Sequence, residues 1–187
     1  VRYAREWLEH QAAAAILERV DDDRYRLPPA AAEVLTDPDS LSYLAPLAQM
    51  AAVTGKELPA LVEAYRTGDG IGWAEMGDEV RTAQADMNRP WFERALPEAL
   101  AGVPDLDAVL RRDGARIADI GSGGGWSSIA LARGYPTATV DGYDIDPPSV
   151  EMARANARDA GVEDRVRFHV ADAADLEANR FDVAFAF

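Results

Sequence analysis

The sequence contains no cysteine, a single lysine (Lys56) and two histidines, His10 and His169, in 187 residues. Without thiols the chain can form neither disulfides nor thiolate metal sites. Two separated histidines supply no metal-ligand set, and none is expected. Cations are also scarce: 19 Lys and Arg stand against 33 Asp and Glu, a formal net charge of −14. Affinity for a polyanion comes from cations that displace its counterions, so this balance argues against nucleic acid as the main partner. No apolar run approaches the roughly 18 to 20 residues of a membrane-spanning helix. No signal-peptide pattern opens the chain, and a cytoplasmic protein is expected. The 48% hydrophobic content is enough to build a core, and the length allows one domain or one and a half.

What the sequence does hold is centred on Ile117-Ala118-Asp119-Ile120-Gly121-Ser122-Gly123-Gly124-Gly125-Trp126, followed by Ser127-Ser128-Ile129-Ala130-Leu131-Ala132. An apolar run ending in an acid, then closely spaced glycines, then apolar residues at helical spacing predicts strand, tight turn and helix. This is the opening unit of a doubly wound α/β sheet, whose ligand sits beyond the carboxyl ends of the strands. A dinucleotide fingerprint requires G-x-G-x-x-G. Counted from Gly121, Trp126 stands where the third glycine belongs; counted from Gly123, Ser128 does.

The pattern that fits is Asp119-x-Gly121-x-Gly123-x-Gly125, and it resembles motif I of the class I S-adenosylmethionine-dependent methyltransferases. Further strands follow in order. Ala138 to Asp146 ends in acids about 20 residues past the glycines, where a ribose-binding carboxylate is expected, and Asp144 is the candidate. Val166 to Ala173 reads as a third strand ending at Asp172, and Phe181 to Phe187 as a fourth. The resemblance implies a Rossmann-like sheet of spatial order 3-2-1-4 with helices on both faces. It also implies S-adenosylmethionine, with S-adenosylhomocysteine as product, held by Asp119, Gly121, Ser122, Gly123, Gly125, Asp144, Ile145, Asp172 and Ala173. In that family, residues ahead of the sheet close over the methionine end. Trp73, Asn88 and Trp91 are candidates by position only, and each is more often a core residue.

Before the sheet, Tyr3, Ala4, Trp7, Leu8, Gln11, Ala12, Ala15 and Ile16 fall on one face of a helix running to about Ile16. Ile16 to Val20, the turn Asp21-Asp22-Asp23, and Arg24 to Leu27 predict a short β-hairpin. Helix followed by hairpin wing suggests a winged-helix-like region, which in the resembled O-methyltransferases serves dimerisation. Residues 2 to 19 are charge-neutral and the wing tip is three aspartates, so dimerisation is favoured over DNA binding. Helices are predicted at Ala30 to Leu35, Ser40 to about Thr54 with Gly55 as stop, Leu58 to Tyr65, Asp78 to Asn88, Trp91 to Leu100 after a restart at Arg89-Pro90, and Asp105 to Arg112. The domain boundary is placed between 87 and 88: a winged-helix-like, helical cap at 1–87 and the cofactor domain at 88–187.

The expected activity is methyl transfer to a small organic acceptor, through oxygen, by a homodimer. A winged-helix regulator that binds S-adenosylmethionine as ligand and an NAD-dependent oxidoreductase remain open from sequence. Neither histidine is placed as a general base; His169 lies inside a predicted strand. The chain starts inside a helical pattern and stops in an apolar strand, so more chain is expected at both ends, with any base beyond Phe187.

Overall fold

A computed structural model describes residues 2–177 and 180–187. The chain forms two compact units, Val1–Ala45 and Pro46–Phe187. In the first, helix α1 (Arg2–Ala13) leads to the antiparallel pair β1 (Glu18–Arg19) and β2 (Tyr25–Arg26), then to α2 (Pro29–Thr36). The first helix stops short of Ile16. Ala15 adopts φ 59°, and Ile16 N–H donates to the Gln11 carbonyl at 3.0 Å. The left-handed residue costs about 1–2 kcal/mol, offset here by satisfying a helix-end carbonyl. Every arginine between residues 2 and 26 meets an acid: Arg2 with Glu6, Arg5 with Asp23, Arg19 with Asp22, Arg24 with Asp21 and Arg26 with Glu18.

The second unit opens with α3 (Ala45–Lys56), α4 (Leu58–Thr67), a 3-10 turn at Trp73–Met76, α5 (Gly77–Arg94), α6 (Leu96–Ala101) and α7 (Pro104–Leu110). Four strands follow: β3 (Arg116–Ile120), β4 (Thr139–Asp144), β5 (Val166–Val170) and β6 (Val183–Ala186). Helix α8 (Trp126–Gly134) joins the first two, and α9 (Pro147–Asp159) the next two. All pairings are parallel and the order is β5-β4-β3-β6, which is the 3-2-1-4 arrangement expected. Because β3, β4 and β5 step in one direction, right-handed crossovers put α8 and α9 on the same face. On that side Val140, Val166 and Phe168 are buried with Leu96, Leu110, Ile129 and Val150. Helices were expected on both faces, yet Arg167, Ala184 and Ala186 stay exposed, so the described helices after β3 cover one. Arg154 Nη2 donates to the Phe168 carbonyl at 2.7 Å and blunts the edge at β5.

Three helix expectations need correction. The helix expected from Ser40 begins only at Ala45; the Ser40 hydroxyl donates to Glu33 and accepts from Ser42 N–H. Gly55 does not stop that helix, which runs to Lys56 and there pairs with Glu79 of α5 at 3.1 Å. Pro90 does not restart the chain; α5 passes through it as one 18-residue helix. An interior proline costs about 3 kcal/mol, but Pro90 is buried, seven residues and so two helical turns from buried Ala83, and that burial offsets the lost hydrogen bond. The actual break is at Ala95.

Packing is tightest around Phe168. A Cβ on Gly142 would lie 2.5 Å from the Phe168 ring, whereas one on Gly55 would meet nothing within 4 Å. Gly142→Ala should therefore destabilise the fold by about 1–3 kcal/mol through overpacking, and Gly55→Ala should stabilise it by about 0.5–1 kcal/mol through helix propensity. Urea unfolding of both variants checks this; equal midpoints would contradict the assigned packing.

Candidate functional site

At the carboxyl ends of β3 and β4 lies a cleft of about 300 Å³. Its floor is the turn after β3, where Gly121 and Gly123 take φ of 71° and 50° with open space where a side chain would begin. Only glycine holds such angles without strain and leaves the backbone approachable. Gly125 and Gly124 serve packing instead. A Cβ on Gly125 would fall 2.6 Å from the Phe168 ring, and one on Gly124 2.7 Å from Ala85 of α5.

Asp144, the last residue of β4, is held between two backbone donors. Gly123 N–H reaches its Oδ2 at 2.8 Å and Asp146 N–H its Oδ1 at 2.9 Å. Ile145 beside it is 70% exposed and forms an apolar wall of the cleft. Ser122 and Trp126 also line the cleft, with the Ser122 hydroxyl and the Trp126 indole N–H turned inward. Both polar groups are buried with no hydrogen-bond partner.

Asp119 plays a different part. Its side chain is buried, and Ser127 and Ser128 both donate their hydroxyls to Oδ2 at 2.6 Å. The acid thus pins the first turn of α8 to the end of β3, and it does not line the cleft. Burial pushes its pKa up, against the lowering effect of the two serines.

The fourth side of the cleft is α5. Arg81, Gln84, Ala85, Asn88 and Phe92 all border it, spaced as one helical stripe. Arg81 is buried, and its Nε and Nη2 grip the two oxygens of Asp146 at 2.7 and 3.1 Å. Asp78 accepts from Nη1 at 2.9 Å. Asp146 in turn caps α9, accepting from Ser149 N–H at 3.0 Å and from its hydroxyl at 2.7 Å. The hydrogen bond from Arg81 is the main reason the Asp146 carboxyl titrates below its ordinary range.

Of the residues singled out in sequence, the structure brings Gly121, Ser122, Gly123, Asp144 and Ile145 together around the cleft, with Trp73 and Asn88. Asp119 and Gly125 lie beneath it. Asp172 is exposed and accepts from Ala174 N–H at the 3-10 turn Ala173–Asp175; neither it nor Ala173 lines the cleft. Both still belong to its end of the sheet, since Ala171 N–H donates to the Asp144 carbonyl at 3.0 Å. Trp91 packs edge-on against Phe92 and Phe187. His169 sits on the edge strand, 2.6 Å from Asp141 and stacked on Tyr143. Sequence reasoning missed Arg81, Gln84, Phe92 and Trp126. Among the described residues no cluster of three His, Cys, Asp or Glu could hold a metal, and no helix is long and apolar enough to cross a membrane.

Residues 117–187 match the family described as a methyltransferase domain. A release factor glutamine methyltransferase from Rhodospirillum rubrum is 43% identical over 76 residues, which cover 41% of this chain and 23% of the relative. An O-methyltransferase family protein from Burkholderia thailandensis superposes with a TM-score of 0.73 at 21% identity, over 97% of this chain and 55% of that one. Mitomycin 7-O-methyltransferase gives a TM-score of 0.72 at 20% identity, over 99% of this chain and 56% of its own. At these identities the structural likeness speaks to the fold. The chain spans less than two thirds of the length of each.

The two buried acids should oppose each other in acid. Asp146 has a folded pKa lowered from its ordinary 3.8, so its contribution is present above 3.8 and is lost as pH falls through the lowered value. Asp119 has a raised folded pKa; its contribution is full below 3.8 and is lost as pH rises through the raised value. Urea midpoints followed from pH 7 to pH 2 should show a shallower acid loss in Asp146→Asn and a flatter profile above 3.8 in Asp119→Asn. Superimposable profiles for the variants and the parent would refute these assignments.

Proposed function

We propose that the protein, whose residues 117–187 match the methyltransferase-domain family, is a class I S-adenosylmethionine-dependent methyltransferase acting on a small organic acceptor, with oxygen as the accepting atom. The observation that carries the reading is the Asp144 carboxylate, set 2.8 Å from Gly123 N–H at the mouth of the cleft. A pyrophosphate bound at this turn would need that N–H and would meet the carboxylate's charge, so the arrangement disfavours a dinucleotide. A ligand with a neutral nucleoside and an ammonium suits it. Asp144 would accept from ribose hydroxyls, Ile145 would flank the base, and Asn88, Gln84 and Trp73 would face the amino-acid end. The bound cofactor would supply an already activated methyl group, leaving the chain mainly to orient the acceptor and exclude water.

A second hollow of about 510 Å³ shares Trp73 with the cleft. Leu61, Tyr65, Ile71 and Met76 give it apolar walls, and its charged groups are Glu57 and Asp69. With no arginine or lysine in the lining, this chamber suits a neutral or cationic aromatic acceptor and repels a carboxylate. The paired arginines of the first unit leave little free positive charge there for phosphates, which weighs against the regulator reading. Tyr3 and Trp7 stand 85% and 60% exposed on α1, and a second copy of the chain is the partner we assign to them.

Calorimetric titration should show binding of S-adenosylhomocysteine and none of NAD; binding of NAD alone would sink the cofactor reading. In the chamber, tyramine should bind about tenfold tighter than its anionic counterpart 4-hydroxyphenylacetate, and Asp69→Asn with Glu57→Gln should narrow that gap. A preference for the anion would place the acceptor elsewhere. Light scattering should report a dimer, and a monomer at working concentration would remove the role given to Tyr3 and Trp7.

A further inference from the structure

Arg81 borders the cleft, yet its bonds go inward. Nε and Nη2 hold both oxygens of Asp146, Nη1 goes to Asp78, and Nη2 also lies 3.4 Å from the Ala74 carbonyl. It does not resemble a group waiting for an anionic ligand. Its partner matters for what lies next to it: Asp146 gives its backbone N–H to Asp144 Oδ1 at 2.9 Å. The other oxygen of Asp144 takes Gly123 N–H. The plane of the Asp144 carboxylate is therefore set by two backbone donors. One of them belongs to a residue anchored by a guanidinium 65 positions earlier in the chain.

We propose that Arg81 is a positioning residue for ribose recognition: by gripping Asp146 it fixes the backbone donor that orients the Asp144 carboxylate toward the sugar hydroxyls. The inference rests on Asp144 being the ribose acceptor, as put forward above. Two features favour it over a simple staple between α5 and the sheet. The grip is bidentate, which fixes angle as well as distance, a property a lysine ammonium cannot reproduce. The same Asp146 oxygen that meets Nε also caps α9 through Ser149. The turn from Asp144 to Ser149 is thereby held from both sides, and little freedom is left for the carboxylate.

A nucleoside pair separates this role from a structural one. The full chain is titrated with 5′-deoxy-5′-methylthioadenosine and with its 2′-deoxy analogue, and the ratio of the two affinities is read. The parent should prefer the ribose form by about tenfold, as expected for one hydrogen bond to a charged acceptor. Arg81→Lys keeps the charge beside Asp146 but loses the fork. Asp146→Asn keeps the α9 cap but loses the ion pair, and thermal melts confirm that each variant is folded. Both should lower affinity for the ribose form, leave that for the deoxy analogue nearly unchanged, and bring the ratio to about twofold or less. Equal losses for the two nucleosides, or an unaltered ratio, would overturn the proposal and leave Arg81 as a staple. A parent chain that binds neither nucleoside, or binds both alike, would overturn the ribose reading of Asp144 and this inference with it.

Discussion

The Phe168 ring is wedged where two glycines leave room for it. Side chains at Gly125 and Gly142 would both collide with the ring, so β5, β4 and the start of α8 approach one another only because those positions are bare. A core at crystal-like density passes displacement from one neighbour to the next. The height of the glycine turn above the sheet is thus set by an aromatic ring below it, and so is the reach of Gly123 N–H to Asp144. The glycine motif contains two populations. Gly121 and Gly123 look toward the cleft, whereas Gly124 and Gly125 look down into packed atoms. A motif read only as a ligand cradle attributes to the ligand what half of its members owe to the core.

Charge in this protein divides along similar lines. Most of its ion pairs are exposed, such as those of α1 and the hairpin, and pairs of that kind contribute little apiece. The Arg81–Asp146 pair is of another kind. Both side chains are about 5% exposed, so each would carry a large desolvation cost if the other were absent. Ser149 and Asp78 supply the remaining hydrogen bonds, which is the condition under which a buried pair is tolerable. Asp119 has only neutral partners, two serine hydroxyls on one oxygen, and stays harder to ionise because burial outweighs them. Two acids within 28 residues thus hold opposite electrostatic positions.

The sheet was legible because each of its strands is an apolar run closed by an acid or a turn, and β order follows from handed crossovers once the strands are known. The turn and Asp144 were legible for the same reason. The α5 wall was not. Reading Pro90 as a boundary separated Phe92 from Arg81, Gln84, Ala85 and Asn88, and polar residues at that spacing read as a solvated face rather than as a wall. The price of an interior proline was overestimated because its burial could not be seen. Ser40 misled in the opposite sense: a good capping residue spent its hydroxyl on Glu33, a partner seven residues back. Asp119 was read as a cofactor contact, and the structure turns it toward Ser127 and Ser128 instead. The serines at the first turn of α8 were the available signal.

The solitary lysine gives the molecule an unusual chemical simplicity. Lys56 is the only lysine among these 187 residues. It sits at the end of α3 between Thr54 and Glu57, two of the residues that border the Trp73 chamber, with its ammonium against Glu79 on the helix that walls the cleft. An acylating reagent or an isotopically labelled methyl tag placed on that nitrogen would thus report from one spot, the exposed ion pair that ties α3 to α5. In most proteins such a reporter has to be engineered by removing its competitors.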